Sequence, residues 1–209
     1  MSASRSRSFQ SGMTLTELIV VSAILMSLTS VVYASFRYES QTFNRENAKA
    51  MTQGDLRFWL GRMVNDIRRA NYDPTGYNST AVTFSLLTFS YTDLTFTSDL
   101  NSNGSLDTSP VETLGYRLNN GALQLNQNGT WRTVLTGVTS TQLFTYSDSQ
   151  GVALTCVTNA SNTCTTSEKR SIATVGITLT AQTSTGGDPG ISPPVIQETA
   201  TAGFRNPIL

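Results

Sequence analysis

Between Met13 and Phe36 lies a predominantly apolar run of 24 residues, and the only carboxylate or cation in it is Glu17. As a helix the run is about 36 Å long, enough to cross a hydrocarbon core of about 30 Å. A carboxylate so placed costs several kcal/mol in lipid unless something compensates it. Whatever the chain folds into must therefore house a long greasy helix and give Glu17 a partner. The residues before it, Met1 to Gly12, are polar, carry Arg5 and Arg7, and have no acidic side chain. That charge bias leaves the N-terminus on the cytoplasmic side and sends the remainder outward.

An ordinary secretory signal also has a basic start and an apolar middle, and Val32-Tyr33-Ala34 offers a cleavage site before Ser35. Its core is usually shorter than this run, however, and it gives Glu17 no role. A plain signal-anchor helix leaves Glu17 equally unexplained.

Gly12-Met13-Thr14-Leu15-Thr16-Glu17-Leu18-Ile19-Val20-Val21 resembles the processing site of type IV prepilins and of the pseudopilins of type II secretion. The resemblance implies that a prepilin peptidase cuts between Gly12 and Met13 and methylates the new amine. It also implies that Glu17, fifth in the mature chain, serves assembly by pairing with the N-terminal amine of a neighbouring subunit. Members of that family usually begin with Phe, where this chain has Met13. Removing 1–12 also removes Arg5 and Arg7, which leaves a formal charge of about −2.

From Arg37 to Ala50 no proline interrupts a helix begun upstream. Leu56, Leu60, Met63, Ile67 and Ala70 then recur in steps of three and four, the apolar stripe of an amphipathic helix, with Trp59 and Val64 beside it. Arg57, Arg62, Asp66, Arg68 and Arg69 read as a solvated face. Gly54 and Gly61 are candidate bends, and Asn71 to Gly76 supplies the turn chemistry that ends the helix. Beyond residue 80 the period becomes two. Ala81–Phe89, Asp93–Thr97, Thr113–Leu118, Ala122–Leu125, Thr130–Leu135, Thr139–Tyr146, Ile172–Ala181 and Val195–Phe204 read as strands. Asn119-Asn120-Gly121 and Asn126 to Gly129 are hairpin turns. The expected fold is α+β, the type IV pilin fold. It comprises a leader over 1–12, a membrane and assembly segment over 13–36, an amphipathic half-helix over 37–70, and an antiparallel β-sheet head over 71–209.

Lys plus Arg and Asp plus Glu both number 14, and from residue 71 onward the cations are only Arg117, Arg132, Lys169, Arg170 and Arg205. That is too thin for a nucleic-acid surface, and it argues against a DNA-uptake pilin. Histidine is absent, which removes the usual general base and the commonest imidazole metal ligand. A secreted enzyme would need a Ser/Lys or paired-carboxylate site that the sequence does not present. Cys156 and Cys164 would pair in an oxidising compartment, closing a short loop that contributes roughly 2.5 kcal/mol. Asp99, Asn101, Asn103, Ser105 and Asp107 place oxygen side chains at alternate positions with Gly104 sixth, a calcium-loop pattern. Its twelfth position is Pro110, and Glu112 comes two residues late, so an ion-free polar turn explains the same letters.

Asp66 to Ala70, Gly115-Tyr116-Arg117-Leu118, Leu143-Phe144-Thr145-Tyr146 and the closing Arg205-Asn206 are similar to PilW-like minor pilins and J-type pseudopilins. That resemblance implies a subunit without catalytic activity or cofactor. It would help start a type IV pilus and sit at or near its tip in adhesion or motility, with a type II secretion pseudopilin as the alternative. The implied partners are other minor pilins and the major pilin through the N-terminal helix. The implied location is the inner membrane first and the fibre later.

Overall fold

The computed structural model describes residues 12–73, 86–155, 165–183 and 192–205. The expectations for the leader, for Pro74–Gly76, for the start of the first strand, for Cys156 and Cys164, for most of the loop over 185–194 and for Asn206 lie outside the described residues.

One helix, α1 (Leu15–Arg68), contains both the apolar run and the amphipathic stripe. It passes Gly54 and Gly61 without interruption. The chain divides into two compact units, Met1–Glu46 and Asn47–Leu209. In the first, residues 12–40 are exposed throughout. Four hydroxyls in the apolar run fold back onto helix carbonyls: Ser22 on Ile19, Ser27 on Ile24, Thr29 on Leu25 and Ser30 on Ser27. Each therefore carries its own acceptor and leaves an apolar surface outside, as a helix in hydrocarbon requires.

In the second unit, α1 meets two antiparallel sheets. The first is a meander of β1 (Leu86–Phe89), β2 (Asp93–Thr97), β3 (Thr113–Asn119), β4 (Ala122–Gln127) and β5 (Thr130–Thr136). Asn120 and Gly121 joining β3 to β4, and Asn128 and Gly129 joining β4 to β5, all have positive φ. This is the twist that two-residue hairpins need, and Asn-Gly adopts it at little cost. The second sheet is β6 (Phe144–Ser147), β7 (Thr174–Gln182) and β8 (Val195–Gly203), in that order. Between β6 and β7 lies a short helix, α2 (Thr166–Ser171), started by a capping box of Thr165 and Glu168.

Leu56, Leu60, Met63 and Ile67 of α1 are buried in one cluster with Leu94, Phe96, Tyr116 and Leu123 of the first sheet and Phe144, Val175, Ile177 and Leu179 of the second. Side-chain alternation in β7 puts Val175, Ile177, Leu179 and Ala181 inside and Thr174, Gly176, Thr178 and Thr180 outside. The stripe thus buries against both sheets, the burial that stabilises a helix far more than its own propensity does. The helix ends with Asn71 in the left-handed region, its N–H donating to Thr97 O at 3.0 Å.

Two expectations change here. Asp66, read as part of the solvated face, is buried: it lies at the edge of the stripe and accepts from Tyr116 on β3. The strand expected over Thr139–Tyr146 begins only at Phe144, because 139–143 sets five residues against three of β7 and the regular ladder is broken there.

Candidate assembly site and head loops

The first turn of α1 is closed by a reciprocal pair. The Thr14 N–H and Thr14 hydroxyl each donate to Glu17 Oε2 at 2.8 Å, and the Glu17 N–H donates to Thr14 Oγ1 at 3.3 Å. This is a capping box, which satisfies helix N-terminal donors that have no partner further up the chain. Glu17 therefore already serves α1 within its own chain, a role the T-x-x-E spacing encodes and the reading of Glu17 as an assembly residue overlooked. Gly12 and Met13 lie just before this turn, exposed, where a peptidase could reach the bond between them.

The oxygen-rich loop after β2 is organised by two fully buried carboxylates, Asp99 and Glu112. Asp99 Oδ1 accepts from the N–H groups of Ser102 and Asn103, and Asp99 Oδ2 from Gly104 N–H at 2.9 Å. Ser102 and Gly104 have positive φ, so the intervening N–H groups converge into a concave nest, and Asp99 is the anion that fills it. Glu112 accepts from Leu100, Asn101 and Asp107 N–H groups. The side-chain amides of Asn101 and Asn103 both donate to Asp107 Oδ2. Among the described residues no three Asp, Glu, Cys or His side chains come together as a metal-holding group. Calcium would have to turn both Asn amides so that their oxygens replace these nitrogens. Glu112 is the loop residue that sequence spacing left out, because it reaches Leu100 across twelve positions.

Glu198 and Asp66 tie the helix to the head. Glu198 on β8 accepts from Gln53 Nε2 at 2.8 Å and Arg57 Nε at 3.1 Å, and these donors hold its carboxyl below the usual range. Asp66 is bonded to Tyr116 and Arg69 and faces Arg62. On the opposite face of the first sheet, the Arg117 guanidinium stacks over Trp131 at 4.2 Å and donates to Gln124 at 2.7 Å.

Residues 45–200, about three quarters of the chain, match the family described as PpdB, prepilin peptidase-dependent protein B. The chain belongs to that family. The PpdB match begins well after Glu17, so it rests on the second half of α1 and the head and is independent of the Gly12 to Val21 motif. Two separate parts of the sequence thus lead to one class, a type IV pilin-related protein with a long apolar N-terminal helix suited to membrane anchoring. No curated protein and no solved structure matches the chain.

Proposed function

We propose that this PpdB-family protein is a minor pilin, PilW-like in its head, that primes assembly of a type IV pilus and sits at or near its tip in adhesion or motility. Prepilin peptidase cuts between Gly12 and Met13 at the inner membrane. The helix over 13–36 then leaves lipid for contacts with other minor pilins and the major pilin. Glu17 compensates a neighbouring subunit's N-terminal amine, and Cys156 and Cys164 pair once exported.

The observation that carries this reading is the exposure of residues 12–40 along a continuous helix whose apolar stretch holds one carboxylate. Among the described residues no part of the fold covers that surface, which leaves it to lipid or other subunits. The capping box makes the assembly role separable from a purely local one. Glu17→Gln keeps a residue that can cap but removes the charge, whereas Glu17→Ala removes both. In the assembly reading both variants fail to enter fibres while remaining in the membrane. Normal incorporation of Glu17→Gln would reduce Glu17 to a helix cap.

The same helix would serve a J-type pseudopilin of type II secretion. Deletion of the gene separates the two: loss of surface fibres with intact exoprotein secretion assigns the pilus, and the reverse assigns secretion.

A further inference from the structure

Val138 pairs with Ala181 and Phe144 with Ile177, so five residues, 139–143, stand opposite only three of β7. The surplus lifts off the sheet and walls a groove of about 280 Å³, whose other side is the outward face of the second sheet at Thr145, Thr178, Thr180 and Gln197. Bulges of this kind often re-aim side chains at functional sites.

The wall is fixed. Ser140 Oγ accepts the Thr180 N–H at 2.7 Å and donates to Thr178 O at 3.3 Å, taking the place of a missing ladder residue. Thr139 N–H donates to Thr180 O at 2.8 Å, and Thr178 N–H to Leu143 O at 2.9 Å. The groove is therefore preorganised, which lowers the entropy cost of binding.

Its chemistry is narrow. The described lining consists of hydroxyls, the amides of Gln142 and Gln197, and Leu143, with no ionisable and no aromatic side chain. An ionic ligand would lose hydration without finding a counter-charge, and an apolar one would strip water from hydroxyls that it could not bond. A neutral ligand dense in groups that both donate and accept matches the lining, and the volume suits one or two sugar rings.

We infer that this groove binds a neutral saccharide. Without an aromatic ring to stack on, the dissociation constant is on the order of 1 mM. The inference does not depend on assembly, because the groove lies wholly within the head.

Saturation-transfer NMR on the full chain, held in a sugar-free zwitterionic detergent, tests it with neutral hexoses, N-acetylhexosamines and their disaccharides, and with glucuronate as the charged counterpart. The expected result is transfer to at least one neutral sugar and little to glucuronate. That transfer weakens about tenfold in Thr145→Val and Gln197→Met, and survives in Thr201→Val, which alters the same sheet face outside the groove. Far-ultraviolet circular dichroism identifies variants that keep the native fold, and only those are compared. Absence of transfer from every neutral sugar to the native chain overturns the inference. So does equal loss in Thr201→Val, or a preference for glucuronate.

Discussion

The Tyr116 hydroxyl donates to Asp66 Oδ2 at 2.5 Å, joining the middle of β3 to the last turn of α1 where both side chains are buried. Arg69 and Arg62 bring positive charge to the same carboxylate from the solvent side. The pair thus fixes how the helix seats on the first sheet. Tyr116→Phe removes one donor and leaves a buried carboxylate short of a partner, a change worth about 1–3 kcal/mol. Thermal unfolding of the full chain in micelles should show a clear fall in Tm with an unchanged helical spectrum.

Burial, reinforced by the Asp66 charge, pushes the Tyr116 hydroxyl well above its ordinary value of 10.0. Burial raises Tyr146 as well. Both stay protonated in the folded protein when the unfolded chain would release protons. Their contribution is complete below about pH 10 and is lost as pH rises through 10 and beyond, each group adding a slope of up to about 1.4 kcal/mol per pH unit. Denaturant titrations between pH 9 and 11 should show this decline, shallower in Tyr116→Phe.

Gly176 on β7 faces Thr145 on β6 so closely that a Cβ there would run into Thr145 Oγ1, whereas the Cβ and carbonyl oxygen of Thr145 lie at 3.8 Å and 3.9 Å. Threonine is stiff about χ1, so it cannot simply swing aside. Gly176→Ala should destabilise by about 1–2 kcal/mol, and Thr145→Ala should recover most of that loss in the double variant. Chemical denaturation of the four members of the cycle measures the coupling.

Asp99 is the anion of its own loop, and removing it leaves the converging N–H groups of Ser102, Asn103 and Gly104 without their acceptor. Asp99→Ala should lower Tm, with a cost of about 2–3 kcal/mol, while added calcium leaves the Tm of the native chain unchanged. A calcium-dependent rise lost in Asp107→Ala would instead make the loop a cation site.

The apolar stripe of α1 and the Asn-Gly hairpins were legible in the sequence because each is a local pattern with a local cause. β2 (Asp93–Thr97) is found where period-two alternation places it, and β3, β4 and β5 each run one or two residues further than expected. The six residues of α2 show no apolar period, and only the Thr165 to Glu168 spacing marks them. The bulge over 139–143 was hidden because Thr139 to Leu143 contain no glycine or proline to mark a break, and the mismatch exists only against β7. Asp66 looked like a surface charge because its partner Tyr116 is fifty positions away. The double use of Glu17 was half visible: the motif pointed to assembly, and the capping box three residues back lay unread beside it.

The account rests on the chain being cut after Gly12 and carried into a fibre by the helix that starts at Met13. Mass spectrometry of the N-terminus of the protein recovered from membranes and from sheared fibres tests this directly. The account predicts a single species beginning with N-methylated Met13 in both fractions. A chain beginning at Ser35, or one that retains residues 1–12 in every fraction, contradicts it.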